Sequence, residues 1–237
     1  MFRSVKSGKI SELIVQQIKN AIIEGEIKAG DRLPSERELV ERFEASRISI
    51  REALKRLETA GLLTIKPGSG VFIAGVSSKP ISELFSSILR IQKTSIYELT
   101  EARIILEPNI ARLASEKVSP EDLLRLEQNI KEASEIIESN SPPSATNIGF
   151  HSLIAEATRN PVISLTMRTM FNIWQEWSLE LENNIRRRMK TSRHSIEYHK
   201  KILKALREKK SQEVYELMLK HTFQIQRDLK GIKSQTK

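Results

Sequence analysis

The chain has 237 residues, enough for two domains of ordinary size or one large one. It contains no cysteine, which excludes disulfides and thiolate metal ligands and fits a reducing cytoplasm. Its N-terminal stretch carries charges every few positions, so neither a signal peptide nor a membrane span is expected. The net charge of +9 favours an anionic partner, but residues 1–75 supply only +3 (13 basic, 10 acidic) and residues 182–237 supply +10 (16 basic, 6 acidic). A nucleic-acid function therefore has to be argued from the residue pattern.

The N-terminal third predicts three helices followed by a β-hairpin. The apolar spacing of residues 10–25 predicts the first helix. The second helix, ERELVERF, is preceded by Ser35, and Glu38 three residues later completes a capping box. The third begins at Ser46 and ends at Gly61, and the β-prone runs LLTI and VFIA flank the turn KPGSG. This order of elements is typical of a winged helix-turn-helix.

The N-terminal end of the third helix carries the candidate DNA-contacting side chains. Arg47 and Arg51 lie one turn apart and point the same way out of the core. An arginine can pair bidentately with guanine or clamp a phosphate, and a helix N-terminus offers N–H groups to phosphates. Arg37 is positioned to assist, and Lys66 and Gly68 of the hairpin would let the backbone approach the duplex. The alternative is a solvated basic face, but the combination of helices, cap and hairpin favours a DNA reader.

This region resembles the DNA-binding domain of the GntR family of bacterial transcription regulators. The resemblance covers roughly residues 8–75 and rests on the pattern LPSERELxxxFxxSRxxxREALxxLxxxGL. It implies a dimer that binds a short palindromic operator in double-stranded DNA. Some relatives carry a hydroxyl at the position of Ile48, so a different base would be read there. By position, the family's base- and phosphate-contacting residues fall on Arg37, Ser46, Arg47, Ile48, Arg51 and Gly68.

The remainder of the chain predicts helices alone. Residues 76–81 form a short polar linker, and residues 82–237 show no alternation typical of strands. The basic stretch IRRRMK is interpreted as an exposed turn between helices rather than as a second phosphate patch. The predicted fold class is mainly α: a winged helix-turn-helix over residues 1–75, then an all-α bundle of about seven helices. These helices cover approximately residues 82–91, 95–117, 120–139, 144–159, 161–183, 191–209 and 211–231.

Three of the four histidines lie on apolar stripes of predicted helices. His151, His199 and His221 would each point into the bundle, whereas His194 follows an arginine and is expected to be exposed. A hydrogen-bonded core histidine is the commoner explanation for any one of them. Three inward imidazoles from three helices, with Asn147 one turn from His151, together favour a divalent metal inside the bundle. Zinc, nickel, manganese and iron all suit these donors, and the sequence does not choose among them.

Residues 81–231 resemble the FCD-type effector domain of the FadR subfamily of GntR regulators. Many members of this group bind a metal through an aspartate, a histidine four residues later and two histidines from the last two helices. Those positions fall on Asn147, His151, His199 and His221, with Asn147 where an aspartate is more usual. The resemblance thus implies that residues 82–237 form a domain for effector binding, metal binding and dimerisation.

The asparagine leaves the ligand set without a negative charge. Asn147 coordinates only through a neutral carbonyl oxygen, and imidazoles that bind metals are neutral, so the double charge of the ion is uncompensated. We therefore expect a small organic acid to complete the coordination. Arg103 on the long second helix of the bundle resembles an arginine that lines the pocket in this family and is the expected second anchor. An ordinary ion pair with Glu107, four residues later, is an equal alternative.

The expected function is a cytoplasmic, homodimeric transcriptional regulator, with repression as the expected mode and no enzymatic activity. Its operator binding would be modulated by a small carboxylate effector at a metal site. Two alternatives stay open. One is a regulator with a metal-free pocket for a lipid or an acyl thioester, against which the inward histidines speak. The other is a metal-dependent hydrolase, although no general base is identifiable around the histidines.

Overall fold

The computed structural model describes residues 8–75, 77–138, 146–181 and 185–233, which form ten helices and one two-stranded antiparallel sheet. The chain divides into two compact units, Met1–Pro80 and Ile81–Lys237. The predicted fold class, a winged helix-turn-helix followed by an all-α bundle, is confirmed. The elements are α1 (Gly8–Ile23), α2 (Glu36–Phe43), α3 (Arg47–Thr59), β1 (Leu63–Lys66), β2 (Gly70–Ile73), α4 (Lys79–Ile91), α5 (Ile96–Lys117), α6 (Pro120–Glu138), α7 (Thr146–Ala157), α8 (Pro161–Leu181), α9 (Ile185–Arg207) and α10 (Ser211–Lys233).

The helix ends of the N-terminal unit are set by local features, at the positions that the sequence predicted. Ser35 caps α2, and its N–H donates to Glu38 Oε2 at 2.7 Å, which completes the capping box. The Oγ of Ser46 accepts from the N–H of Ser49 at 3.1 Å and so starts α3. Gly61 has a φ of +73° directly after this helix, the left-handed conformation that ends helices and favours glycine.

The hairpin is joined to the connector that precedes α2. Strands β1 and β2 pair antiparallel, with Leu63 opposite Ile73 and Lys66 opposite Gly70. Arg32 forms an isolated bridge with Phe72, which widens the sheet by one residue. A side chain at Gly70 would meet the guanidinium of Arg32 at 2.8 Å. The core of this unit is an aliphatic cluster that includes Ile14, Ile18, Leu33, Leu39, Ile50, Leu54, Leu57, Leu63 and Ile73.

The C-terminal unit contains α5–α10 and nearly all of α4. Helix α4 begins inside the predicted linker, because Pro80 falls in the first turn, where a missing N–H costs no helical hydrogen bond. The prediction of a turn at IRRRMK was wrong, since residues 185–190 belong to α9. This stretch contains neither glycine nor proline, and Arg, Lys and Met are good helix formers. Along the described residues no helix is long and apolar enough to cross a membrane.

The bundle brings α5, α7, α9 and α10 around one interior. Helix α5 packs along α10, α7 and α8, and α10 packs along α9. Pro108 lies inside α5, whose inner face is unusually polar and buries Thr100, Arg103 and Glu107. The largest apolar cluster of the unit includes Leu126, Ile130, Phe150, Ile154, Ile202, Leu206, Val214 and Met218.

Candidate functional site

Three imidazoles meet inside the bundle. His151 comes from α7, His199 from α9 and His221 from α10, and their exposed fractions are 5%, 0% and 1%. The three Nε2 atoms form a nearly equilateral triangle with separations of 3.3 Å (His199 to His151), 3.2 Å (His199 to His221) and 3.2 Å (His221 to His151). Each histidine lies on a stripe of buried apolar residues, and helix packing therefore carries its ring inward.

No arrangement of protons satisfies all three of these contacts at once. A hydrogen bond between two Nε2 atoms needs a proton on one of them and a lone pair on the other. In a triangle, at least one pair must then present two lone pairs or two N–H groups to each other. Burial, reinforced by neighbouring imidazoles, holds the pKa of His199 and of His221 well below the usual histidine value. Both rings are therefore neutral, which is the form that binds a metal.

The separations of the three Nε2 atoms match those of three imidazole ligands around one metal ion. Tetrahedral bonds of about 2.0–2.1 Å from zinc to imidazole nitrogens place those nitrogens about 3.3 Å apart. Among the described residues, these three histidines are the group of potential ligand side chains that lie close enough together to hold an ion. The residues present therefore fit a divalent metal. Asn147 lies one turn before His151 in α7, but its side chain is outside the described part of the structure.

A buried carboxylate stands behind His151. Glu107 Oε2 lies 2.6 Å from His151 Nδ1, and Glu107 is 3% exposed. The two atoms do not meet the geometry of a hydrogen bond, so the contact is chiefly electrostatic in this structure. Burial by itself raises the pKa of the Glu107 carboxyl, but Arg103 and His151 outweigh it and lower this pKa to about 2. Glu107 is therefore ionised at neutral pH.

Arg103 is paired with Glu107 and also retains an unused donor. Its Nε donates to Glu107 Oε1, so the ion pair considered from the sequence is present. Its guanidinium carbon lies 4.3 Å from the ring centre of Trp174 and 5.4 Å from that of Phe171. The Nη1 atom is buried without a hydrogen-bond partner in the described structure. A buried guanidinium with a free donor is suited to an anionic group.

Two contributors to this site were missed by the sequence reasoning. Glu107 was considered only as a partner of Arg103, and its contact with His151 on another helix leaves no signal in the local pattern. Trp174 was not among the predicted site residues, but its ring lies against Arg103 and its Nε1 donates to Thr100 Oγ1 at 3.1 Å. Its spacing of three residues from Phe171 was the available signal, because such residues share one helix face.

The candidate DNA-contacting residues lie on the exposed side of the N-terminal unit. Arg47 is exposed at the first position of α3, and the next residue, Ile48, is 78% exposed although it is apolar. Arg51 Nε lies 2.7 Å from Glu36 Oε2, and Arg37 Nε lies 3.2 Å from Glu41 Oε1. Both pairs are solvent-exposed and therefore weak, so phosphates can compete for these arginines.

The remaining candidates have partly structural roles. The Ser46 hydroxyl caps α3, as described above, which leaves its backbone at the helix N-terminus. Lys66 Nζ lies 5.0 Å from the ring centre of Phe72 across the hairpin. Gly68 has a φ of +73° at the tip and open space around it, so the tip presents backbone rather than side chain. Together these features describe a winged helix-turn-helix of the kind found in DNA-binding regulators.

Comparison with known proteins gives the family. Residues 10–73 match the family described as bacterial regulatory proteins, gntR family, and residues 98–224 match the FCD domain. The chain is 29% identical to the HTH-type transcriptional regulator LutR of Bacillus subtilis over 87% of this chain and 95% of that protein. It is 30% identical to the Uxu operon regulator of Haemophilus influenzae over 88% of this chain and 77% of that protein.

The solved structures agree with this assignment. The fold is similar to that of the Streptococcus agalactiae GntR protein, with a TM-score of 0.70, 26% identity, and coverage of 92% of this chain and 99% of the other. The chain therefore belongs to the GntR family of bacterial regulators and carries an FCD domain. It is a DNA-binding transcriptional regulator, and the relatives named here are regulators rather than enzymes.

Proposed function

We propose that this protein is a homodimeric repressor of the bacterial cytoplasm whose operator binding is controlled by a small organic acid at a metal site in the FCD domain. The triangle of buried Nε2 atoms carries this proposal, because three lone pairs converging within 3.3 Å have a common partner only in a cation. Asn147, His151, His199 and His221 are the proposed ligands, and the ion is zinc, nickel, manganese or iron. When bound, it would supply a Lewis-acidic centre for an anionic ligand.

The charge around the site favours a carboxylate effector. The four proposed ligands are all neutral, so none of them offsets the double charge of the ion. The free Nη1 of Arg103 offers a second, cationic contact in the same interior. The aromatic faces of Trp174 and Phe171 hold the guanidinium in place, so that Nη1 is preorganised for a charge-assisted hydrogen bond to an anion. A metal-free lipid pocket is disfavoured, because it would leave these buried polar atoms without partners.

Titration of the metal-loaded protein with small organic acids and with their amides tests the effector. Acids should bind and neutral amides should not, and an Arg103→Met variant should lose at least tenfold in affinity, about 1.4 kcal/mol. Arg112→Met is a matched control, since Arg112 lies on the same helix, is exposed and stacks on Tyr215 at 5.7 Å. Silence of the whole panel, or tighter binding of the amides, would overturn the effector assignment.

DNA recognition is assigned to one face of the N-terminal unit. Two copies of α3 would enter successive major grooves of a palindrome, with half-site centres about 34 Å apart. Within each copy Arg47, Ile48 and Arg51 would face the bases, and Arg37, Ser46, Lys66 and Gly68 would lie against the backbone. Effector binding would alter operator affinity by a coupling free energy of about 1–3 kcal/mol. Fluorescence anisotropy with and without effector measures this coupling, and equal affinities would reject it.

A further inference from the structure

We propose that Glu107 is a positioning residue of the metal centre, which holds the His151 ring with Nε2 inward and lends its negative charge to a ligand set that contains no carboxylate. This inference rests on the proposed metal site. It adds a residue that lies outside the four proposed ligands and that comes from α5, a helix that provides none of them.

The geometry of the pair carries the argument. Glu107 Oε2 lies 2.6 Å from Nδ1 of His151, while Nε2 of the same ring faces the other two histidines. A carboxylate at this distance favours a proton on Nδ1 and therefore leaves a lone pair on Nε2, where the ion would bind. The carboxylate thus selects the tautomer that metal binding requires.

His151 differs in this respect from a second member of the triad. Neither ring makes a hydrogen bond through Nδ1 in the described structure, but Nδ1 of His151 lies 2.6 Å from Glu107 Oε2, whereas the ring of His199 stacks on Phe150 at 3.9 Å between ring centres. His199 is therefore oriented by packing, whereas His151 is oriented by a charge. The adjacent carboxylate raises the electron density on the opposite nitrogen of the His151 ring, the one that would face the ion.

The placement of Arg103 keeps this carboxylate available. Arg103 engages Oε1 of Glu107 and lies against Trp174, so Oε2 remains directed at His151. Arg103 and Glu107 together thus form a buried support for the site. Asn147 needs this support more than an aspartate would, since the asparagine oxygen carries no charge.

The experiment measures metal affinity in full-length protein. Glu107→Gln keeps the shape of the side chain and removes its charge, and zinc affinity by chelator competition should fall about 10–100-fold. The visible absorption of the cobalt(II)-loaded protein should change as well, because the electron donation from His151 changes. Glu101→Gln, an exposed glutamate on the same helix, should leave both readouts as in the wild type.

A second set of variants guards against misfolding, because Glu107→Gln leaves the buried Arg103 without its partner. Arg103→Met with Glu107→Gln removes both charges together and should fold, yet it should bind zinc at least tenfold more weakly than Arg103→Met alone. Adding Asn147→Asp to the double variant should raise its zinc affinity again by about tenfold, because the aspartate supplies a negative charge.

The outcomes separate the two proposals. The role of Glu107 is overturned if Glu107→Gln binds zinc within about threefold of the wild type and if Arg103→Met binds zinc equally well with and without Glu107→Gln. The metal site would stand in that case. A loss that Asn147→Asp fails to restore overturns the charge contribution. Failure of the wild-type protein to bind zinc, nickel, manganese or iron overturns the proposed function and this inference with it.

Discussion

Replacing His199 with leucine separates a metal ligand from a core histidine. Without metal, the variant loses the stack of His199 on Phe150, worth about 0.5–1.5 kcal/mol. It also removes the buried Nδ1 that has no described partner, which gains about 1–3 kcal/mol. The two effects nearly cancel or leave a small gain, and leucine is close to histidine in volume. The metal-free variant should therefore melt at or slightly above the temperature of the metal-free wild type.

With metal, the same substitution should abolish a large stabilisation. An ion present at a hundred times its dissociation constant stabilises the native state by about 2.7 kcal/mol. For a unit of about 150 residues, each kcal/mol raises the melting temperature by about 2–4 °C, so the wild type should gain about 5–11 °C. Thermal melts after chelation and after addition of zinc or manganese measure this gain. His199→Leu should show almost none of it.

A matched control lies on the same helix. His194 is exposed, and His194→Leu should keep the full metal-dependent shift. Two results would refute the reasoning. One is a metal-dependent shift of wild-type size in His199→Leu. The other is a metal-free His199→Leu protein that melts far below the wild type, because this would show that the imidazole serves the core rather than an ion.

Three further predictions concern DNA binding and stability. Arg47→Ala should weaken operator binding by about 1–3 kcal/mol in anisotropy, whereas Lys131→Ala, which removes the same charge from the bundle, should not; equal losses would contradict base reading. Ile48 is exposed and is expected to touch a thymine methyl, so Ile48→Ala should reduce affinity for the operator. Replacing that thymine with uracil, which lacks the methyl, should weaken binding of the wild type but not weaken binding of Ile48→Ala any further. Asp122→Asn should cost about 1–2 kcal/mol in urea unfolding at pH 7, where Asp122 accepts from Arg159 at 2.6 Å. Burial raises the pKa of Asp122, but the hydrogen bonds from Ser119 and the contact with Arg159 outweigh it and lower this pKa. The stability difference between wild type and Asp122→Asn should therefore shrink as the pH falls below 3.8. A difference that stays constant with pH would show that the charge of Asp122 does not contribute.

Much of the fold could be predicted because its signals are local. The capping box of Ser35 and Glu38, the cap at Ser46 and the left-handed Gly61 each depend on a few neighbouring residues. Helical periodicity likewise placed the histidines on buried faces, since the 3.6-residue repeat fixes which side chains share a face. The ends of some helices were predicted less accurately. The start of α9 was missed because a charged stretch without glycine or proline suits both a solvated helix and a turn.

The site itself was decided by tertiary packing. Periodicity indicates that His151, His199 and His221 point inward, but it does not fix the rotation and axial offset of one helix against another, and these set the 3.2–3.3 Å separations. The same holds for Glu107. Its spacing from Arg103 is visible in the sequence, whereas its 2.6 Å approach to His151 requires α5 and α7 to pack at one particular depth. The sequence thus determined that the three histidines are buried, and only the packed bundle determined which groups they meet, because contacts between helices depend on interdigitated side chains along their whole length.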